Sequence, residues 1–265
     1  MAAQEHFDLE KQSDYPGETG TPIARIQTSG QDNEILHIGD TKVYKHELMA
    51  AFGGSLNVGL SEAPSRKFAN PGPLGLSAFA LTTFCLSLVN VQARGVTNAS
   101  GVVGLAYFYG GIIQLLAGMW EIVVENNFGA TALSSYGGFW LGWAALNTKA
   151  FGLRAAYSSD REWSEVVGFF LLGWLLFNTM LLMLTLKSTF IFFILFFVVE
   201  LTFLFLTIGH IGHSTACNKA GGYFGLIASV LAWYNAYAGL ATHENSYFVP
   251  KVIYMPGTVL PEKKK

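Results

Sequence analysis

Asn70-Pro71-Gly72-Pro73-Leu74-Gly75-Leu76 decides the fold class, because it stands where a polar tail changes into continuous membrane-type sequence. Proline suits the first turn of a helix, since its missing N–H would have no partner inside the helix. The stretch therefore predicts the start of an apolar helix. Free N–H groups and the positive dipole end of such a helix attract anions, so we expect an anion-binding position here.

Downstream of this stretch, apolar segments follow one another almost to the end of the chain. Hydrophobic residues make up 51% of the sequence and charged residues only 13%, which favours a membrane protein over a soluble domain. A helix needs about 20 apolar residues to cross the hydrocarbon core. Six segments meet this length, at residues 74–92, 101–123, 128–148, 166–186, 189–209 and 220–242. The sequence predicts an all-α membrane protein, a bundle of six transmembrane helices.

Polar tails flank this predicted transmembrane domain, which spans residues 70–248. Residues 1–69 are expected to form a flexible cytoplasmic tail because their apolar content is too low for a separate core. Within that tail, residues 35–44 are a candidate hairpin or docking segment. Residues 249–265 form a second short cytoplasmic tail, whose final lysines at 263–265 are expected to contact anionic lipid headgroups.

The orientation in the membrane follows from the tails rather than from the loops. Basic residues in the short loops favour neither side clearly. A long tail without a signal is easier to keep in the cytosol than to translocate, and six spans return the C-terminus to the same side. We therefore expect both termini in the cytoplasm.

Composition and motifs argue against several other classes of protein. The net charge of −2 gives no indication of nucleic-acid binding. Cys85 and Cys217 have neither a disulfide framework nor metal-type spacing. His210 and His213 are interpreted as interfacial side chains, since a metal site needs more ligands. No nucleophile–base set or phosphate-binding loop is visible, so we expect no enzyme, no metal and no cofactor.

Glycines four residues apart predict close helix packing. Gly138 and Gly142 form one such pair, and Gly221 and Gly225 form another. Glycine lets the backbones of neighbouring membrane helices approach each other. The pattern indicates a compact bundle and does not identify a function.

Gln114 and Glu121 are the first polar pair inside the predicted membrane region. They are seven residues apart, which places them on one face of a helix. Gly110, Gly111 and Gly118 share that face, so we expect it to turn inward. One interpretation is a pore lining with a proton site at Glu121. The alternative is hydrogen bonding between helices, with Glu121 near the water boundary.

Glu200 lies in the middle of the most apolar segment. An isolated charge is costly in hydrocarbon, so a carboxyl group there favours its neutral form. A residue of this kind suits proton coupling. A neutral acid that donates one hydrogen bond across a helix or subunit interface fits the sequence equally well.

Several motifs, in the right order, resemble those of the acetate uptake transporter family, also called the succinate–acetate permeases. The stretch at 70–76 resembles the family signature Asn-Pro-Ala-Pro-Leu-Gly-Leu, with Gly72 in place of alanine. Other motifs resemble the second, third, fourth and last helices of family members. These motifs lie at residues 108–114 with 117–121, 135–141, 185–187 and 233–240.

The resemblance implies a hexamer in which each protomer has its own pore for acetate and similar short carboxylates, with succinate as a further candidate. It also implies a hydrophobic constriction of Phe, Tyr and Leu, which corresponds here to Phe79, Tyr136 and a third position. Ungapped spacing places that third position at Val199, with Leu201 two residues later. Valine in place of leucine would widen the constriction. The long tail and the last-helix motif look fungal, which implies the plasma membrane.

The substrate's chemistry agrees with these features. Acetate has a carboxylate for the helix start at 70–76 and a methyl group for the apolar constriction, and such constrictions gate by dewetting. The proton of a symport cycle would travel on the substrate, on Glu121 or on Glu200; channel-like permeation is the other option. Competing functions are transport of ammonia or ammonium, and a membrane sensor that signals through its N-terminal tail.

Overall fold

The computed structural model describes residues 27–30, 34–38, 40–52 and 68–258. The chain divides into two units, residues 1–67 and 68–265. The rest of the predicted N-terminal tail, and residues 259–265 with the terminal lysines, lie outside the described residues.

The first unit contains a small antiparallel sheet. Its strands are β1 (Gln27–Ser29), β2 (Ile35–Ile38) and β3 (Thr41–Tyr44), in the order β1-β2-β3. The pairing of Ile35 with Tyr44 and of Ile38 with Thr41 confirms the hairpin expected at 35–44. A short helix, α1 (Lys45–Phe52), follows β3 directly.

The second unit is helical. Its main helices are α2 (Gly72–Asn90), α3 (Val103–Tyr107), α4 (Gln114–Val123), α5 (Asn127–Asn147), α6 (Asp160–Leu184), α7 (Phe190–Ile211) and α8 (Thr215–Leu240). A 3₁₀ turn, Ala99–Val102, precedes α3, and a π-helical segment, Phe108–Ile113, joins α3 to α4. These pieces make one continuous rod, Ala99–Val123.

Four helical segments of the described chain are long and apolar enough to cross a membrane. They are Gly72–Asn90, Ala99–Val123, Asp160–Leu184 and Phe190–Ile211. The helices α5 and α8 have sufficient length, at 21 and 26 residues. Glycine, alanine and polar residues make these two helices less hydropathic, since they replace the long apolar side chains found in α7.

Short polar side chains begin three of these helices. Asn126 precedes α5, Ser159 precedes α6 and Ser214 precedes α8, and each side-chain oxygen accepts a backbone N–H from the first turn. Such caps stabilise a helix start because they satisfy a donor that has no partner inside the helix. The sequence thus fixes where these helices begin.

Aromatic side chains fill the centre of the bundle. Phe139 of α5 stacks on Phe170 and meets the edge of Trp174, both on α6. It also contacts Phe203 of α7, with ring centroids 5.4 Å apart. These contacts join α5, α6 and α7 around one apolar core, while α8 packs between α2 and α7.

Glycines allow the closest helix contacts, as expected for α8. A Cβ atom added to Gly221 would lie 2.7 Å from the Leu206 side chain, and one added to Gly225 would lie 2.2 Å from Ser87 Oγ. The pair predicted on α5 does not behave in this way. A Cβ atom at Gly138 would meet nothing within 4 Å, because the tightly packed glycine of this helix is its neighbour Gly137.

One end of the bundle brings together the starts of α2, α5 and α7. The C-terminal segment is tied to this end, since Ile253 O accepts the Phe190 N–H at 2.8 Å and Ser188 O accepts the Met255 N–H at 2.9 Å. Thr189 and Tyr254 form an antiparallel bridge between these hydrogen bonds. Part of the segment predicted as a short tail is therefore attached to the loop before α7.

The contact between α4 and α5 depends on Gly118, because a Cβ atom there would lie 2.3 Å from Ser134 Oγ and 2.4 Å from Ser134 N. We predict that Gly118→Ala lowers the free energy of unfolding by about 1–3 kcal/mol, the usual cost of overpacking. The exposed Gly138 serves as the matched control, and Gly138→Ala should cost nothing. Thermal unfolding of the purified protein in detergent measures both, and equal melting temperatures would contradict the close α4–α5 contact.

Candidate functional site

A cavity of about 110 Å³ lies inside the second unit, near the starts of α2, α5 and α7. Its walls are mostly apolar, with Leu76 from α2 and Phe196 from α7 among them. The polar groups that line it belong to Gln114, Glu121, Asn126 and Tyr136, together with nearby backbone. An apolar pocket with a few placed polar groups is the usual form of a small-molecule site.

A second, smaller cavity of about 40 Å³ lies further along α2 and reaches Asn90 at the end of that helix. Phe79 and Val199 line both cavities, so these two side chains stand between them. Leu201 lines neither cavity. Of the two residues considered for the third position of the constriction, the geometry therefore favours Val199.

Tyr136 lies beside these two residues and is only 5% exposed. Its ring centroid is 5.8 Å from that of Phe79, and its side chain lines the first cavity. The structure thus brings together Phe79, Tyr136 and Val199, which the sequence places on three different helices. Apolar and aromatic groups of this kind leave little room between the cavities.

The helix start at 70–76 differs from the expectation in one respect. Asn70 Oδ1 accepts the Gly72 N–H at 3.0 Å, and Pro71 O accepts the Leu74 N–H at 3.1 Å. Pro73 has no N–H to offer. The free N–H donors expected for an anion are therefore already paired or missing in this first turn, and only the helix dipole remains to attract negative charge.

The residues of this stretch also face in different directions. Gly72 and Leu76 line the first cavity. Leu74 is half exposed on the outer surface. Pro73 and Gly75 are buried in helix contacts, against Gly239 and Leu133 respectively.

Glu121 occupies the position that was expected to attract an anion. Its side chain is 3% exposed and lines the first cavity, and its Oε2 accepts a hydrogen bond from Asn126 Nδ2 at 2.7 Å. A Cβ atom added to Gly72 would lie 3.1 Å from Glu121 Oε1, and one added to Gly129 would lie 2.9 Å from Oε2. The carboxyl group therefore sits between the positive ends of α2 and α5, which favour an acidic group.

Gln114 lies on the same face of α4 as Glu121, as the seven-residue spacing predicts. Its side chain is completely buried and lines the first cavity. Neither amide atom of Gln114 has a hydrogen-bond partner in the described part of the chain. A buried amide with donor and acceptor both unused is uncommon and can bind a polar solute.

Glu200 lines neither cavity and connects to the first one only through other side chains. Its Oε2 accepts a hydrogen bond from Asn178 Nδ2 at 2.5 Å, and its Oε1 lies 2.6 Å from Thr179 Oγ1. Asn178 Oδ1 in turn accepts the Tyr136 hydroxyl at 2.5 Å. Glu200 therefore links α7 to α6, which is the interhelical hydrogen bonding considered as the alternative to proton coupling.

Sequence reasoning missed several groups around the two cavities. Asn126 donates a hydrogen bond to Glu121, and its side-chain oxygen also caps α5 by accepting the Gly129 N–H. An asparagine at a helix start is the pattern that could have identified it. Thr83 and Trp140 line the second cavity, and neither Thr83 Oγ1 nor Trp140 Nε1 has a partner among the described residues. A single threonine or tryptophan inside an apolar helix gives no pattern that distinguishes a cavity lining from ordinary packing.

Comparison with known proteins identifies the type of protein. The model of the GPR1/FUN34/yaaH family matches residues 52–257. Acetate permease A of Emericella nidulans is 48% identical over 224 residues, which cover 80% of this chain and 75% of that protein. Ammonia transport outward protein 2 of Saccharomyces cerevisiae is 47% identical over 249 residues, which cover 94% of this chain and 88% of that protein.

The fold also matches a solved structure, that of the bacterial acetate channel SatP, with a TM-score of 0.60 and 34% sequence identity. The match covers 66% of this chain and 93% of the bacterial one. Together with the apolar helices, these relatives confirm a multi-pass membrane transport protein rather than an enzyme. They also confirm the family resemblance drawn from the signature at 70–76: the chain belongs to the GPR1/FUN34/yaaH family.

Proposed function

We propose that the protein carries acetate and similar short carboxylates, with succinate as a further candidate, across the plasma membrane through the two cavities. The observation that supports this most directly is that Phe79 and Val199 separate the cavities beside Tyr136. Acetate has one apolar methyl group and one polar carboxyl group. A mostly apolar passage with one polar wall suits a solute of this kind, and a narrow apolar constriction restricts water and ions.

Within the first cavity, Gln114 is proposed to bind the carboxyl group of the substrate. Its unused amide offers two N–H donors and one carbonyl acceptor. It can therefore donate to a carboxylate, or both donate to and accept from a neutral acid. Leu76 and the aromatic rings would contact the methyl group.

The presence of Glu121 in the same small cavity supports proton coupling. Two ionised carboxylates close together in an apolar site repel each other strongly. A substrate carboxylate and Glu121 can share the cavity at low cost only if one of them carries a proton. We therefore assign the coupled proton to Glu121 or to the substrate, with Glu200 as the third candidate.

The proposed architecture is six transmembrane helices in each protomer, with α5 and α8 as the two additional spans, and a hexamer of such protomers. A helix of 21 residues, the length of α5, is about 32 Å long, close to the thickness of the hydrocarbon core. The transport domain would span residues 70–248. An even number of spans would place both termini on the same side, and the long polar N-terminal tail would keep that side in the cytoplasm.

Transport of ammonia or ammonium is the second candidate function. The name of the yeast relative and the acidic side chain of Glu121 in the first cavity favour it. An ammonium pathway should be indifferent to acetate, whereas a carboxylate pathway should show competition between acetate and other short acids. Competition for uptake therefore separates the two functions.

The first prediction on transport concerns the flux of acetate and its dependence on a proton gradient. Liposomes that contain the purified protein should take up labelled acetate, and an inward proton gradient should increase the rate. Glu121→Gln should remove the gradient dependence if Glu121 carries the coupled proton and retain it if the substrate does, whereas Glu200→Gln should retain it in either case. The opposite pattern would assign coupling to Glu200, and the absence of acetate flux from a folded oligomer would reject the carboxylate function.

The second prediction concerns the width of the constriction. Val199→Leu adds one methylene between the cavities, so uptake of propionate relative to acetate should fall by about tenfold, the usual effect of one methylene in an apolar pocket. Leu201→Val is the matched control, because Leu201 lines neither cavity. Equal propionate-to-acetate ratios in the two variants would contradict the placement of Val199.

The third prediction separates binding from folding at Gln114. Gln114→Met keeps the size of the side chain but removes an amide that has no partner in the described chain. Acetate uptake should fall by about tenfold, since one hydrogen bond to a charged group contributes about 1.5–3 kcal/mol. The melting temperature should stay the same or rise, and a lower melting temperature would show that Gln114 serves packing instead.

A further inference from the structure

Four side chains form a hydrogen-bonded chain that runs from the first cavity to the outer surface of the bundle. The Tyr136 hydroxyl donates to Asn178 Oδ1 at 2.5 Å. Asn178 Nδ2 donates to Glu200 Oε2 at 2.5 Å and to Phe196 O at 3.2 Å. Glu200 Oε1 lies 2.6 Å from Thr179 Oγ1. Tyr136 and Asn178 are buried, Glu200 is half-buried and Thr179 is exposed.

The number of available hydrogens fixes the direction of this chain. Thr179 Oγ1 lies 2.9 Å from Leu175 O as well as near Glu200, yet a hydroxyl has only one hydrogen. Tyr136, Asn178 and Thr179 together supply four hydrogens for five close contacts. The single Thr179 hydrogen is therefore shared between Leu175 O and Glu200 Oε1.

Asn178 is held rigidly by this arrangement. Both of its N–H hydrogens are used, one by the backbone of Phe196 and one by Glu200, so its carbonyl oxygen has a fixed position. The side chain is completely buried, which leaves no water to replace these partners. Its carbonyl oxygen is therefore a fixed anchor for the Tyr136 hydroxyl.

The remaining contacts of the Tyr136 side chain are apolar. Its ring meets those of Phe79, Trp174, Phe177 and Phe196, with centroids 5.8 to 6.4 Å apart. Such contacts tolerate tilting and sliding of a ring far better than a short hydrogen bond does. The bond to Asn178 is thus the directional contact that holds the ring next to Phe79 and Val199.

We propose that Asn178, supported by Glu200 and Thr179, is a positioning residue that sets the size selectivity of the constriction through Tyr136. This inference rests on the proposed carboxylate transport. With the hydroxyl anchored, the ring keeps the gap beside Phe79 narrow, and acetate passes more easily than longer acids. Without the anchor, the ring moves aside and the preference for acetate decreases.

The test compares uptake of labelled butyrate and acetate by liposomes that contain each full-length variant. Tyr136→Phe removes only the hydroxyl, and Asn178→Leu removes its acceptor. Each should raise the butyrate-to-acetate ratio by about fivefold, the factor expected for one hydrogen bond of about 1 kcal/mol. The double variant should match the single ones, because both changes break the same bond.

The matched control is Tyr107→Phe. Tyr107 also loses a hydroxyl contact, 2.9 Å from Thr148 Oγ1, but lines neither cavity. The butyrate-to-acetate ratio of Tyr107→Phe should equal that of the original protein. A second pair tests the support of Asn178. The carbonyl oxygen that Glu200→Gln introduces accepts from Asn178 as the carboxyl group does, so the ratio should stay low, whereas Glu200→Leu removes the acceptor and should raise the ratio.

The outcomes distinguish the two levels of the proposal. Absence of acetate uptake by the original protein would reject the proposed function itself. Acetate uptake with an unchanged butyrate ratio in Tyr136→Phe would reject the positioning role and leave the function intact. Additive effects in the double variant, or equal ratios in Glu200→Gln and Glu200→Leu, would also reject it. If Asn178→Leu fails to fold, Tyr136→Phe and the Glu200 pair still decide the question.

Discussion

The carboxyl group of Glu121 holds together the end of the bundle at which the first cavity lies. Burial of an acidic group is costly unless positive charge or hydrogen-bond donors surround it. Here the starts of α2 and α5 converge on the group, and Asn126 donates a hydrogen bond to it. The two helix starts can approach because Gly72 and Gly129 leave space, so the position of the acid, the helix ends and the cavity depend on one another.

In the apolar interior of the bundle, some buried polar groups bond to one another and others keep unused donors or acceptors. Asn178 and Glu200 satisfy one another and join α6 to α7. Gln114, Thr83 and Trp140 keep unused donors or acceptors, and all three line a cavity. Thr207 Oγ1 and Asn218 Oδ1 also lack a partner among the described residues but line neither cavity, so an unused group is available to a solute only where it also faces a cavity.

Much of the architecture can be derived from the sequence, because a membrane imposes a length and an apolar character on each span. The seven-residue spacing of Gln114 and Glu121 places both on the cavity face, and the signature at 70–76 begins a helix as its prolines require.

Pairings between side chains on distant helices are harder to predict from the sequence. The contact of Tyr136 with Asn178 joins residues 42 positions apart, and no local pattern encodes it. The sequence also does not show that the backbone N–H donors at the start of α2 are already paired. The Asn70 side chain and the Pro71 carbonyl accept them in the folded turn.

Gly72 stands where the signature that residues 70–76 resemble has alanine, and the geometry gives this difference a physical meaning. A methyl group there would lie 3.1 Å from both Asn70 Oδ1 and Glu121 Oε1, which is tighter than ordinary van der Waals contact. A protein with alanine at this position must therefore hold its acid a few tenths of an ångström further from the helix start. The residue at this one position thus sets how closely an acidic side chain approaches the positive end of a helix.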